Sequence, residues 1–176
     1  YMTSGTIDAA EKLFEAGANT VYVYRLGTGG KEGTLELQTT TASKAVTLKT
    51  KYPTGLKFSV TIKQKLGDAT TKECSVYNDS ILVEKLSFAA GSGENEAANL
   101  VEAMKDSKYL TAELTASATG IMQTVTQQAL TGGATPNVTT SDYSNAFNAF
   151  ETYAWNALVL VSVNADVKAL AKSYMD

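Results

Sequence analysis

The chain has 176 residues, 44% of them hydrophobic, and a formal net charge of -3 from 15 Lys and Arg against 18 Asp and Glu. That length suits one well-packed core, or one domain carrying a second folded insert. The mild acidity gives no global pull toward nucleic acid or an anionic membrane, and a single arginine (Arg25) and no histidine remove guanidinium phosphate clamps and Ser-His or Cys-His catalysis.

The chain opens on "TIDAAEKLFEAGA", where Ile7, Ala10, Leu13 and Phe14 share one helical face, Thr6 is a cap and Gly17 a stop. "TVYVYRL", residues 20–26, is β-branched and aromatic with almost no polar relief, and reads as a strand covered on both faces. From Gly27 to Gly33 the chain is loop. Beyond it the period becomes two. In "AVTLKTKY" Val46, Leu48 and Tyr52 face one way and Thr47, Lys49 and Lys51 the other; in "KFSVTIKQ" Phe58, Val60 and Ile62 alternate with Ser59, Thr61 and Lys63. "YPTG" between them is a turn signal. "ECSVYNDSILVEKLSF" reads as a hairpin turning at Asn78-Asp79. "ENEAANLVEAMKD" is a helix with Ala97, Leu100, Val101 and Met104 inward, and "KYLTAELTA" is a further strand.

After Leu130 the first pattern returns. Thr139 and Asp142 form a capping box at the start of a helix carrying Tyr143, Ala146, Phe147 and Phe150. "NALVLVSV", residues 156–163, is a second buried strand, and "ADVKALAKSYM" is a helix again. The expected fold class is therefore an α/β core layer, helix-strand and then helix-strand-helix, interrupted by an inserted β-rich domain (a sandwich or barrel) with one helix. The expected domains are a discontinuous core, residues 1–30 and 134–176, and an insert, residues 31–133.

Two glycine-rich loops invite a phosphate-binding reading. "GTGG" at 27–30 follows a strand, but "KEGTLELQTTT" after it alternates like a strand, whereas a dinucleotide fingerprint needs a helix there. "LTGGATPNVTTSD", residues 130–142, lacks the lysine of a P-loop, and Asp142 puts a negative charge where a phosphate would sit. Both read as linkers. Cys74, the only cysteine, reads as apolar filler on a strand. Glu11, Glu15, Glu94, Glu96, Glu102, Glu151 and Asp166 fall in first helical turns or on exposed helix faces, with no calcium-loop spacing. Lys49, Lys51, Lys57, Lys63 and Lys65 keep the outer strand faces soluble, and Trp155 reads as a core or interface anchor. No residue set is put forward as catalytic, cofactor-binding or metal-ligating, and the chain is read as no enzyme. No apolar run approaches the ~20 residues of a membrane span. "YMTSGTIDAAEK" lacks a signal-peptide pattern, and both ends read as cut from a longer protein.

In this order, "EKLFEAGANTVYVYRLGTGG", "AVTLKTKYPTGLKFSVTI", "CSVYNDSILVEKLSF", "NLVEAMKDSKYLTAEL" and the stretch from "LTGGATPNVTTSD" to "VKALAKSYM" resemble the tail sheath proteins of contractile phage tails, above all those of Gram-positive phages, defective prophages and tailocins. The family's N-terminal arm and C-terminal domain have no counterpart here. The resemblance implies a virion structural protein whose subunits form a helical polymer around a tail tube. Contraction triggered from the baseplate drives the tube through the target envelope by interface rearrangement, without a nucleotide. Its implied partners are other sheath subunits, the tube protein and the baseplate, with no nucleic acid and no membrane insertion. The implied location is the virion tail or tailocin particle, assembled in the bacterial cytoplasm. This stretch by itself is expected to be monomeric. The alternative is a cell-surface or carbohydrate-binding module, which would group aromatics such as Tyr52, Tyr77 and Tyr109 on one exposed face of the insert.

Overall fold

The structure is a computed structural model that describes residues 4–91, 95–115, 120–161 and 164–176, the side chains of 4–8 excepted. In chain order the elements are α1 (Ser4–Glu15), β1 (Thr34–Gln38), β2 (Lys44–Thr50), β3 (Phe58–Lys65), β4 (Asp68–Asn78), β5 (Ile81–Ala89), α2 (Glu96–Met104), β6 (Leu110–Leu114), β7 (Val125–Ala129), α3 (Thr140–Phe150) and α4 (Ala165–Met175). They fall into two compact units, Tyr1–Thr28 with Asn137–Asp176, and Gly29–Pro136. The mixed α/β class with a β-rich block and one helix inside it is the class expected above.

The Gly29–Pro136 unit contains two antiparallel sheets, ordered β1-β2-β6 and β5-β4-β3-β7. Period-two alternation carries the inward faces: Leu35 and Leu37 on β1, Val46 and Leu48 on β2, Val60 and Ile62 on β3, Cys74 and Val76 on β4. With Leu100 and Met104 of α2 they form one apolar cluster. Burying each of these side chains contributes about 1.5–3 kcal/mol of transfer free energy. On the outer face of the β1-β2-β6 sheet, Lys44 meets Glu36 and Lys49 meets Glu113, both at 2.7 Å. Such exposed pairs add little stability and mainly fix solubility.

Several local expectations change. The YPTG stretch joins β2 of one sheet to β3 of the other and makes no hairpin. Thr50 takes the inward position at the end of β2, and Tyr52 lies exposed beyond it. Ser59 and Thr61 are buried alongside their apolar neighbours because β3 lies between β4 and β7 in the sheet; Thr61 Oγ1 accepts a hydrogen bond from Gln127 N. The β4–β5 hairpin turns one residue later than expected. Asn78 pairs with Ile81, so Asp79 and Ser80 are the turn, and Asp79 takes the left-handed conformation at φ 53°. Thr6 and Ile7 lie in α1, but their side chains are outside the described residues, as are Glu94, Ala116 and residues 162–163.

The inward register of β4 continues from Val76 and Cys74 to Lys72, so a lysine enters the core. There its Nζ meets Glu96 Oε1 of α2 at 2.5 Å and donates to the Met122 carbonyl at 2.7 Å. Met122 N donates to Glu96 Oε2 at 3.2 Å. Lys72 and Glu96 are nearly inaccessible, at 5% and 1%. Glu96 lies at a helix start, as expected, but it is buried there rather than exposed, with Lys72 as its countercharge.

In the other unit Phe147 and Ala146 of α3 and Val167 of α4 are the buried apolar side chains among the described residues. Asp142 Oδ2 accepts from Thr139 N at 2.7 Å and from Thr139 Oγ1 at 2.8 Å, holding the start of α3. Asn164 Oδ1 accepts from Asp166 N at 2.8 Å at the start of α4. The expected strands at 20–26 and 156–163 form no strand and join no sheet in their described part. Tyr22, Val23 and Tyr24, at 42–49% exposure, and Val159 and Val161, at 50–59%, are far from covered. The reason is physical: a strand is made by its ladder, and no described segment of the chain forms one with either.

Lys72→Met is expected to cost about 3–5 kcal/mol by stranding the Glu96 carboxylate in the core. The double variant Lys72→Met/Glu96→Leu is expected to recover most of that loss, measured by urea unfolding followed by far-UV circular dichroism. A single variant as stable as the parent would show that the pair is not buried.

Candidate functional site

The two glycine-rich passages are where a phosphate site would lie, and they are occupied with each other. Thr28 N donates to Asn137 O at 3.1 Å and Asn137 N to Thr28 O at 3.0 Å. The same exchange joins Lys31 with Ala134 and Thr34 with Thr131. Gly33 N donates to Thr50 Oγ1, and Gly55 N to Thr135 Oγ1, both at 3.0 Å. A phosphate cradle needs several backbone N–H groups free and converging; here those of Thr28, Lys31, Gly33, Thr34, Thr131, Ala134 and Asn137 already donate within the protein.

The glycines have packing reasons. A Cβ on Gly133 would stand 2.5 Å from the Thr54 carbonyl oxygen, and one on Gly30 would stand 2.6 Å from the Pro136 ring. At Gly133 backbone approaches backbone, and at Gly30 the rings of Pro53 and Pro136 fill the space a side chain would take. The helix after the second loop is α3, and its first turn is filled by the Asp142 carboxylate.

Other candidates resolve separately. Cys74 is fully buried on β4, and its desolvation pushes the thiol up to about 12, with a smaller push from the Glu84 carboxylate. Among the described carboxylates, Glu11 and Glu15 are exposed together on α1, Glu102, Glu151 and Asp166 are exposed elsewhere, and Glu102 pairs with Lys105 one turn on. No cluster of three or more metal-ligating side chains exists among the described residues. Lys51, Lys57, Lys63 and Lys65 are exposed, and Lys51 Nζ donates to Ser107 O at 3.2 Å. Asp68, at the β3–β4 turn, is held down to about 2 by hydrogen bonds from Thr70 and Thr71, a turn device on an exposed loop.

The tyrosines of the rival binding-module reading differ in setting. Tyr52 is 38% exposed, Tyr77 is half-buried, and Tyr109 packs against the core with its ring 5.7 Å from that of Phe58. Trp155 is half-buried; its Nε1 donates to Phe150 O at 3.1 Å and its ring stacks 6.2 Å from Tyr174. The buried pair of Lys72 and Glu96 escaped sequence reasoning. The signal was present in "KECSV", where Lys72, Cys74 and Val76 share one strand face.

A cavity of about 550 Å³ lies within the discontinuous unit, lined among others by Leu13, Val21, Tyr22, Phe150, Ala157 and Val159. Tyr22 is its one titratable side chain among the described lining residues.

No protein-family model matches the chain, and no curated protein matches it. Two solved structures do. The sheath tail protein of Desulfitobacterium hafniense is similar over 86% of this chain and 32% of its own, at 17% identity and a TM-score of 0.57. The sheath tail protein of Listeria innocua is similar over 86% of this chain and 31% of its own, at 21% identity and a TM-score of 0.53. The chain thus has a fold found in sheath tail proteins and spans about a third of the length of these two relatives.

Two outcomes test this reading of the loops and the thiol. Gly133→Ala is expected to lower stability by about 1–3 kcal/mol through the forced shift of Thr54, seen as a lower thermal midpoint. Cys74 is expected to resist thiol reagents at pH 8 until the chain is unfolded. Because its folded pKa lies above the unfolded value, its contribution to stability is full below pH ~9 and is lost as pH climbs toward 12.

Proposed function

We propose that the chain is the central part of a contractile tail sheath subunit. Residues 1–30 and 134–176 belong to the subunit core, and residues 31–133 form an insert carried on it. The observation that carries this reading is the shared fold with two sheath tail proteins over 86% of the chain. The chemistry is compatible. The glycine loops brace each other, and the buried charges of Lys72 and Glu96 neutralise each other inside a core.

In this proposal the work is mechanical. Like subunits polymerise around a tail tube, and contraction repacks their interfaces from one stable arrangement to another, driving the tube through the target envelope. The particle is a phage tail or a tailocin, and the insert faces outward as a self-contained decoration whose two sheets and helix close their own core.

The test is negative-stain electron microscopy of the full-length polypeptide over a range of salt and protein concentrations, beside the 176-residue chain. Striated hollow cylinders are expected from the full-length polypeptide and monomers from the shorter chain. A full-length polypeptide that stays monomeric throughout, and binds glycan or cell wall through the insert, would replace this proposal with a surface-binding module.

A further inference from the structure

The two compact units differ in how much of their own support they contain. Every member of the apolar core cluster, and every partly buried apolar side chain packed against it, lies between Leu35 and Leu130. Buried charges and hydroxyls are answered in the same unit: Lys72 by Glu96 and the Met122 carbonyl, and Ser107 by Glu84, whose Oε2 accepts from its Oγ at 2.5 Å. The ends of the unit are held by its own residues too. Thr50 N donates to Gly33 O at 2.9 Å and Thr54 N to Lys31 O at 3.2 Å, while Gly55 N reaches Thr135 Oγ1. The crossover at 50–55 thus braces both of the paired passages from within Gly29–Pro136.

The discontinuous unit consists of two pieces that flank the insert in sequence. Ala146, Phe147 and Val167 are its buried apolar side chains among the described residues, and all three belong to the second piece. The first piece meets the second through Thr28 with Asn137, through the Tyr22 ring 4.4 Å from that of Tyr153, and through Tyr24 edge-on to Phe150 at 6.1 Å. Each of these contacts closes a loop that contains residues 29–136. While the insert is folded its ends already lie side by side, so only the short stretches outside it remain to be ordered. With the insert unfolded the same contacts must close a loop several times longer, and closure entropy rises with the logarithm of loop length. The increase is modest, but this unit has little apolar burial to offset it.

We propose that the insert folds on its own, and that its paired ends are the staple on which the discontinuous unit depends. Coupling between the two is then one-sided. Loosening the discontinuous unit leaves the insert intact, whereas opening the insert releases Thr28 from Asn137 and takes the discontinuous unit with it. In the sheath proposal, on which this consequence alone rests, the subunit core can repack during contraction while the insert keeps its structure.

The chain carries a native probe for each unit: its single tryptophan, Trp155, in the discontinuous unit and its single cysteine, Cys74, buried in the insert. The test is urea unfolding of the 176-residue chain, read by Trp155 emission and by pulsed labelling of Cys74 with a thiol reagent at pH 8. The Trp155 midpoint is expected at or below the Cys74 midpoint. Phe147→Ala is expected to lower the Trp155 midpoint by on the order of 1 M urea, or to abolish that transition, and to leave the Cys74 midpoint unchanged. Leu48→Ala is expected to lower the Cys74 midpoint by a similar amount and to hold the Trp155 midpoint at or below the new value. Native Trp155 emission at a urea concentration where Cys74 labels fully would overturn the proposal. So would a Cys74 midpoint that falls in step with that of Trp155 in Phe147→Ala. Both signals are read on single chains, so the outcome is separate from whether the polypeptide builds a sheath.

Discussion

The Gly29–Pro136 unit depends on a single constraint: the passages that lead into it and out of it must lie side by side. Residues 28–34 and 131–137 meet this by pairing backbone to backbone, with six reciprocal hydrogen bonds at three points along their length. Such pairing closes a long loop at its base, and the entropic cost of the closure grows only slowly with loop length. The glycines follow from it. Where Gly133 passes the Thr54 carbonyl and Gly30 passes Pro53 and Pro136, a side chain would hold the segments apart. Residues that suggest a ligand loop in isolation are here the seam of an insertion.

Once its ends are joined, the unit is free to form its own core, and it does so around an unusual element. The Lys72–Glu96 pair ties β4 to α2, and both of its ends also reach the backbone of Met122. Desolvating two charges is costly, and an apolar replacement is often as stable. What the pair adds is position. A lysine in that register accepts only a helix that presents a carboxylate at one point, so α2 is fixed against both sheets.

The discontinuous unit has the opposite character. Two of its helices are held at their starts, α3 by Thr139 with Asp142 and α4 by Asn164, yet its apolar segments lie half open and its buried apolar side chains among the described residues are few. The fold shared with the two sheath tail proteins covers 86% of this chain and about a third of theirs.

Much of this was legible in the sequence, because the relevant signals are local. Alternation in "AVTLKT" and "KFSVTI" placed Val46, Leu48, Val60 and Ile62 inward; helical spacing did the same for Ala97, Leu100 and Met104; and Thr139 with Asp142 marked a helix start. The sequence by itself also determined that Ser-His-Asp and Cys-His catalysis have no residues to work with, since no histidine exists. Only the tertiary structure decided the rest, and in each case the deciding contact joins residues far apart in the chain. The assignment of β2 and β3 to different sheets, the meeting of Lys72 with Glu96, and the pairing of Lys31 with Ala134 are long-range events that leave no local period. The same holds for "TVYVYRL" and "NALVLVSV": composition gives a segment the propensity of a strand, but a ladder needs a neighbour, and which segment becomes that neighbour is settled by topology.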